Sequence, residues 1–129
     1  MAFLKDGEIN RPNDRNGFDI VIGNPPYMNI NTMPQMHKIF KETYPEIHTG
    51  YNDLMYYFIR KGIHLLSANG VLAFITSNYF LGNEYAKKLR LFLNDKLETV
   101  INFKDVNVFE SASVHTAISF AKKKQIPHQ

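Results

Sequence analysis

Short apolar runs and amphipathic stretches alternate along the chain. Residues 18–23 (Phe-Asp-Ile-Val-Ile-Gly) and 71–76 (Val-Leu-Ala-Phe-Ile-Thr) are nearly continuous apolar runs, the pattern of strands that are buried on both faces in a parallel sheet. Residues 98–103 and 114–120 also have the composition of strands, and the last of them alternates apolar with small polar residues. The chain is therefore predicted to contain four strands.

Three segments have the residue spacing of amphipathic helices. The first is expected to open at Pro34, the second to run from 52 or 53 to about 67, and the third to span about 83–94. Asn52 or Asp53 can cap the second helix, and Asn69-Gly70 is expected to end it with a left-handed residue. The apolar faces predicted for the three helices are, in order, Met36, Ile39, Phe40 and Tyr44; Leu54, Met55, Phe58, Ile59, Leu65 and Leu66; and Tyr85, Leu89, Phe92 and Leu93.

The predicted order of elements is strand–helix–strand–helix–strand–strand. Two successive strand-helix units imply a parallel sheet of the α/β class, and the short connection 106–113 indicates that the last strand is antiparallel to its neighbour. Residues 18–122 are therefore expected to form one α/β unit. Residues 1–17 are polar and turn-rich and are predicted to be a lead-in loop, and residues 123–129 are predicted to be a basic tail.

Composition narrows the class of protein further. The 129 residues are 44% apolar and 21% charged, as in ordinary globular domains. There is no cysteine, which excludes disulfides and thiolate zinc sites, and the five histidines lack the spacing of metal ligands. No apolar run approaches the about 18 residues that span a bilayer, so we expect a cytoplasmic protein without a membrane partner. The net charge of +3 permits a polyanionic partner without requiring one.

One tetrapeptide, Asn24-Pro25-Pro26-Tyr27, follows the first predicted strand directly. Ligands of doubly wound sheets bind beyond the carboxyl ends of the strands. Asn24 offers a side-chain carbonyl, and Pro25, which Pro26 restrains further, offers a backbone carbonyl with no competing amide donor. Two such acceptors can take both hydrogens of a planar NH2 group, while Tyr27 can stack on a ring.

This geometry suits methylation of a planar amine. The nitrogen lone pair of such an amine is delocalised into its π-system, so the amine is a poor nucleophile. When two acceptors bind both N–H groups from outside the ring plane, the nitrogen moves toward a tetrahedral, nucleophilic geometry. Catalysis then relies on orientation and placed dipoles, without a carboxylate base. The structural alternative is a Pro-Pro turn in which Tyr27 is an ordinary packing residue.

The sequence resembles the N6-adenine DNA methyltransferases of restriction–modification systems, in the subgroup that carries Asn-Pro-Pro-Tyr. The resemblance covers about residues 18–122. Apart from 18–27, it is carried by Tyr51-Asn52-Asp53-Leu54, by 64–74 (His-Leu-Leu-Ser-Ala-Asn-Gly-Val-Leu-Ala-Phe), by 75–81 (Ile-Thr-Ser-Asn-Tyr-Phe-Leu), by Val108-Phe109 and by 114–120 (Val-His-Thr-Ala-Ile-Ser-Phe).

The resemblance implies a Rossmann-like methyltransferase sheet, S-adenosylmethionine as the methyl donor, and double-stranded DNA whose target adenine is flipped into a pocket. Asn24 and Pro25 would hold N6, and Tyr27 would stack on the flipped base. Phe109 looks like the second aromatic residue of the family, which contacts the other face or the edge of the flipped base. Phe58 matches a helix position near the adenine of the methyl donor, and Asn24 also lies at the donor in the family. A bacterial or archaeal cytoplasm is implied.

The sequence departs from the family pattern at its methyl-donor loop. The glycines stand at 7, 17, 23, 50, 62, 70 and 82, so no Gly-x-Gly occurs, and 17 residues before Phe18 cannot hold a strand-helix-strand unit. We therefore expect the C-terminal half of a catalytic domain, inactive in isolation, without a separate target-recognition region. Its missing strands would leave an open sheet edge and an uncovered apolar face, which favour self-association.

Two other functions remain open at this level. Methyltransferases of protein glutamine and of RNA guanine use the same tetrapeptide, because an amide or guanine NH2 poses the same chemical problem. Alternatively, the chain is a non-catalytic remnant or one subunit of a split enzyme that another chain completes.

Overall fold

The computed structural model of the protein describes residues 16–104, 106, 108 and 115–123. It contains the four predicted strands and the three predicted helices, and both the helix that opens at Pro34 and the longer helix after it lie between the first two strands. In chain order, these elements are β1 (Phe18–Gly23), α1 (Pro34–Thr43), α2 (Leu54–Leu65), β2 (Leu66–Ser77), α3 (Lys87–Leu93), β3 (Leu97–Asn102) and β4 (Thr116–Lys122). Single 3-10 turns at Ile30–Thr32, Tyr79–Leu81 and Glu84–Ala86 connect them.

The four strands form one mixed sheet in the order β1-β2-β4-β3. β1 is parallel to β2, whereas β4 is antiparallel to both β2 and β3, so β1, β2 and β3 all run the same way. The α/β class and the antiparallel last strand are therefore confirmed. β1 and β3 are the edge strands of the described sheet, and β1 is the strand whose carboxyl end carries the tetrapeptide.

The junction between α2 and β2 differs from the prediction. The helix ends at Leu65 and β2 begins at Leu66, without the glycine turn expected at 69–70. The only described glycine with positive φ is Gly17, at 99°. Gly70 is instead needed for close contact, because a side chain there would overlap the carbonyl oxygen of Phe18. The first residues of β1 and β2 lie close together here, and the register between the two strands also shifts at this point. This close approach is a tertiary constraint, so local turn patterns do not reveal it.

The buried face of α2 is also different from the predicted stripe. Met55 and Ile59 are buried as expected, but Phe58 is 44% exposed. Tyr57 is buried because its ring stacks on Phe40 of α1, with centroids 4.2 Å apart. The buried residues of α2 are Met55, Tyr56, Tyr57, Ile59, Gly62 and Ile63. Because the helix contacts both the sheet and the α1 layer, its buried surface is broader than a single amphipathic stripe.

Two further apolar residues on helical faces are exposed rather than buried. Ile39 of α1 is 51% exposed, and Tyr85, in the 3-10 turn before α3, is 42% exposed. Leu89 and Leu93 of α3 are buried as predicted. The third helix is shorter than 83–94 because its first turn is a separate 3-10 turn, which Asn83 caps.

The two faces of the sheet have different environments. Alternate residues of a strand point to opposite faces, so Val21, Leu72 and Phe74 lie together under α2. On the other face, Ile20 is 69% exposed and Ile22 is 78% exposed. The prediction that β1 is buried on both faces is therefore wrong, because the helices described here cover only one. The expected uncovered apolar face is present, and by register it comprises Ile20, Ile22, Val71, Ala73, Ile75, Ile101, Ile118 and Phe120.

None of the described helices has both the length and the apolar character that crossing a bilayer requires.

Candidate active site

The tetrapeptide lies directly beyond the carboxyl end of β1. The strand ends at Gly23, and the two prolines that follow cannot continue its hydrogen-bond ladder. Asn24 and Pro26 are exposed, Pro25 is buried, and Tyr27 is half-buried with its ring against the hydrophobic core. The segment therefore has a fixed middle and a solvent-facing amide, as a ligand-binding turn requires.

Asn24 and Tyr27 are linked across the turn. The Tyr27 hydroxyl donates to Oδ1 of Asn24 over 3.4 Å, a long bond that leaves most of the acceptor capacity of this oxygen for a ligand. Burial raises the pKa of Tyr27, and the negative charge of Asp53 raises it further. The Tyr27 phenol therefore stays neutral at physiological pH and can act as a ring surface and hydrogen-bond donor.

A pocket of about 370 Å³ opens beside the tetrapeptide, between β1 and α2. Phe58, Lys61 and Leu65 of α2 form one wall, and Asn24 forms part of the other. The residues around it are Val21, Ile22, Gly23, Asn24, Pro25, Pro26, Phe58, Lys61, Gly62, Leu65 and Phe74. The structure thus brings Phe58 and Asn24, both named from the sequence, to the same pocket.

Tyr27 is not part of this lining. Its ring packs against the hydrophobic core, so Asn24 lines the pocket and also contacts the Tyr27 hydroxyl. Phe109, the second predicted aromatic, lies outside the described residues, and its role stays a prediction. The site therefore has two parts that share Asn24. One is the apolar pocket, and the other, called the aromatic side, is formed by the ring of Tyr27.

The charges around the pocket are few. Lys61 is the one charged side chain among the described residues that line it, and these include no carboxylate. Neither does the described part of the chain gather three or more His, Cys, Asp or Glu residues that could hold a metal ion. What the pocket offers a ligand is thus an apolar surface, neutral oxygen acceptors and the side chain of Lys61.

The start of α2 is joined to the segment that follows Tyr27. Asp53 caps α2 by accepting from the amide of Met55 at 3.0 Å, and the same oxygen accepts from the amide of Met28 at 3.2 Å. The cap at Asn52 or Asp53 is predicted from the sequence, whereas the bond to Met28 is not. The spacing of 25 residues between Asp53 and Met28 carries no local signal, because only the path of the chain brings the two together.

Comparisons with known proteins agree with this architecture. Residues 2–109 match the family described as Eco57I restriction-modification methylase. The type II restriction enzyme and methyltransferase RM.Eco57I of Escherichia coli is 32% identical over 113 residues, which are 83% of this chain and 11% of that protein.

Two solved structures share the fold. A protein described as a class I S-adenosylmethionine-dependent methyltransferase of Listeria monocytogenes superposes with a TM-score of 0.65 at 19% identity, over 88% of this chain and 34% of that one. The type IIL restriction-modification enzyme MmeI, solved in complex with DNA, has a TM-score of 0.65 at 22% identity, over 83% of this chain and 16% of that one.

The chain therefore spans between 11% and 34% of the length of each of these proteins. Its four strands share the fold of part of the Rossmann-like sheet of these methyltransferase structures. With the family matched over residues 2–109, the chain belongs to the Eco57I restriction-modification methylase family.

Proposed function

We propose that this chain carries the amine-binding part of an N6-adenine DNA methyltransferase. The observation that carries the proposal is the position of Asn24-Pro25-Pro26-Tyr27 beyond β1, with an exposed amide next to an apolar pocket and a half-buried ring. Membership of a restriction-modification methylase family supports methyl transfer, and the DNA in the MmeI structure supports double-stranded DNA as the partner.

The proposed role of the tetrapeptide is to hold and reshape the target nitrogen. Oδ1 of Asn24 accepts a hydrogen bond from one N–H group of the adenine amine, and the carbonyl oxygen of Pro25 accepts a hydrogen bond from the other. Both bonds lie out of the base plane, so the lone pair turns toward the methyl donor. The lack of a carboxylate among the lining residues fits this chemistry, since catalysis relies on oriented dipoles rather than on a base.

The apolar pocket is the proposed donor side of the site. When bound, S-adenosylmethionine would supply the methyl group, its carbon–sulfur bond breaking as the bond to the amine nitrogen forms, and the methylated amine would release one proton to solvent. The pocket fits an aromatic end of such a molecule, because Phe58 and Leu65 give it an apolar wall and its volume is about 370 Å³. Phe58 would contact the adenine of the donor, and Asn24, shared by both sides, would lie at the reacting end.

The aromatic side is the proposed place of the flipped base. Tyr27 would stack on one face of the target adenine, and Phe109 would contact its other face or edge. Base stacking on an aromatic side chain contributes about 1–3 kcal/mol, which offsets much of an unpairing cost of a few kcal/mol. Tyr27 suits this role because its ring is held against the core while part of it stays accessible.

Substitution of Asn24 tests the proposal. In a full-length methyltransferase that contains this segment, Asn24→Ala should abolish methylation of adenine in duplex DNA, while DNA binding, measured by fluorescence anisotropy, persists. Asn83→Ala removes an exposed asparagine that caps a 3-10 turn and serves as the control. Undiminished turnover by Asn24→Ala would refute the assigned role.

The same full-length enzyme distinguishes the substrates. It should methylate duplex DNA and leave a glutamine-containing release-factor peptide and ribosomal RNA unmodified, with the product identified as N6-methyladenine by mass spectrometry. Methylation of the peptide or of RNA guanine instead would assign the site to the other amine methyltransferases.

We further propose that the 129-residue chain alone neither turns over nor binds S-adenosylmethionine appreciably, because its sequence has no Gly-x-Gly loop. Calorimetry that showed micromolar affinity would contradict this. We also propose that the isolated chain associates with a second copy of itself, since β1 is an edge strand and its own Ile20 and Ile22 are exposed.

A further inference from the structure

We propose that Asp53 is a positioning residue that holds the tetrapeptide against the helix wall of the site. This rests on the proposed function, because it assigns a role in placing Asn24 and Tyr27. The observation is one carboxylate oxygen, Oδ1, that accepts from the amides of both Met28 and Met55, at 3.2 and 3.0 Å.

The two amides belong to the two sides of the site. Met28 is the residue directly after Tyr27, so its amide is part of the peptide unit that ends the tetrapeptide. Met55 lies in the first turn of α2, and Phe58, three residues further along the same helix, lines the pocket together with Asn24. One oxygen atom therefore connects the segment that carries Asn24 to the helix that carries Phe58.

Backbone bonds set the register of the same junction. The amide of Leu54 donates to the carbonyl of Met28 at 2.7 Å, and Asn29 and Asp53 form an isolated antiparallel bridge. The amide of Ile30 donates to the carbonyl of Asn52 at 3.1 Å. These bonds hold the chain after Met28, whereas the carboxylate of Asp53 holds the Met28 amide itself, which is the contact nearest to Tyr27.

The charge of Asp53 is also coupled to the site. The carboxylate is half-buried, and its negative charge raises the pKa of Tyr27 and of Tyr56 in addition to the effect of their burial. A substitution that keeps the hydrogen bonds but removes the charge therefore changes the titration of Tyr27 without moving it. This separates the hydrogen bonds of Asp53 from the effect of its charge.

The experiment compares three variants. Asp53→Ala removes both bonds, Asp53→Asn keeps an acceptor oxygen and removes the charge, and Asn83→Ala is the matched control. Asn83 also caps a turn, by accepting from the amide of Tyr85 at 2.8 Å, and it makes no bond to the tetrapeptide among the hydrogen bonds described for it.

In the full-length enzyme, Asp53→Ala should lower kcat for DNA methylation by about 10- to 100-fold, because small misplacements of a reacting group have effects of that size. The KM for DNA should change far less. Asp53→Asn should stay within about threefold of the parent kcat, because asparagine is an equally good cap. Asn83→Ala should leave kcat unchanged.

In the 129-residue chain, NMR of the Asn24 side-chain amide and of labelled Tyr27 gives a readout that does not depend on activity. Asp53→Ala should shift the Asn24 amide resonances, whereas Asp53→Asn should leave them in place and lower the pKa of Tyr27. Asn83→Ala should do neither. The proposal is overturned if Asp53→Ala leaves either these resonances or kcat unchanged, or if Asn83→Ala has the same effects.

Asn24→Ala separates this failure from that of the proposed function. If Asn24→Ala retains turnover, the assignment of the tetrapeptide is wrong whatever Asp53 does. If Asn24→Ala is inactive while Asp53→Ala has the kcat of the parent, the function stands and the positioning role falls.

Discussion

The two faces of the sheet carry similar apolar side chains but have opposite surroundings. On the covered face, Leu72 is 1% exposed and Phe74 is 5% exposed, whereas on the open face Ile20 and Ile22 are 69% and 78% exposed. Whether a face of the sheet is buried is thus decided by the elements that pack on it rather than by the hydrophobicity of its strands. The candidate active site depends on the covered face, because its pocket is built between that face and α2.

The covered face depends on a glycine in the helix above it. A Cβ at Gly62 would lie 2.6 Å from Cδ1 of Leu72 and 3.1 Å from Cζ of Phe74. The absence of a side chain at Gly62 lets α2 approach the sheet closely enough for Phe58 and Asn24 to line one pocket. No described helix makes a similar approach on the open face, so the residues there contribute less to the free energy of folding.

The largest expected effect comes from truncating the covered face. Phe74→Ala should lower the free energy of unfolding by about 3–5 kcal/mol, since it removes a buried aromatic ring and leaves a cavity. Ile22→Ala, on the open face of the neighbouring strand, should cost less than about 1 kcal/mol. Urea unfolding followed by circular dichroism measures both, and equal losses would show that the open face is covered in solution.

Filling the space between helix and sheet should have the next largest effect. Gly62→Val should destabilise the fold by about 1–3 kcal/mol, because the new side chain meets Leu72 and Phe74. Gly82→Val is the control, since a Cβ at Gly82 meets nothing within 4 Å. The same urea titration applies to both, and a Gly62→Val variant as stable as the control would contradict the close packing.

Lowering the pH should reduce the stability of the fold through His48, which lies in the helix layer above the covered face. Nδ1 of the buried His48 is 2.6 Å from the hydroxyl of Tyr57 on α2. Burial lowers the pKa of His48, and the nearby His37, Lys88 and Lys41 lower it further. The unfolded chain therefore binds a proton at His48 more readily than the folded chain does.

The stability that neutral His48 provides is present above its ordinary pKa of about 6.5 and is lost as the pH falls through the lowered value in the fold. We expect thermal unfolding midpoints of the parent chain to decline below pH 6.5 more steeply than those of His48→Gln. Parallel pH profiles for the two proteins would exclude the effect.

The smallest effect on stability is expected on the open face, where the readout is association. Ile20→Thr with Ile22→Thr should change the free energy of unfolding by no more than about 1 kcal/mol but reduce self-association in sedimentation velocity. Val21→Thr, on the covered side of the same strand, is the control and should destabilise the fold without this specific change. A parent chain that is monomeric at high concentration would refute the self-association.

The elements of the fold followed from the sequence where local signals were strong. The continuous apolar run of β1, the proline at the start of α1 and the Asp53 cap of α2 all lie where expected. Phe58 was predicted both as part of a buried stripe and as a cofactor contact. It is 44% exposed and lines the pocket, so the buried-stripe prediction is wrong for this residue, while its role as a cofactor contact stays a proposal.

Predictions failed where the answer depended on distant partners. Residues 54–59 (Leu-Met-Tyr-Tyr-Phe-Ile) are apolar all round, so periodicity could not tell that Tyr57 packs on α1 while Phe58 faces the pocket. Gly70 resembles a helix stop, yet it serves close contact with Phe18. In both cases the deciding neighbour is well over ten residues away in the chain.

The sequence by itself determined the types and order of the elements and the place of Asn24-Pro25-Pro26-Tyr27 after a strand, because propensities, caps and prolines act on near neighbours. Only the tertiary structure decided which face of β1 is covered, that Phe58 and Asn24 share a pocket, and that Asp53 binds the Met28 amide. These contacts join segments that are far apart in the chain, and they exist because packing α2 onto the sheet brings the segments together.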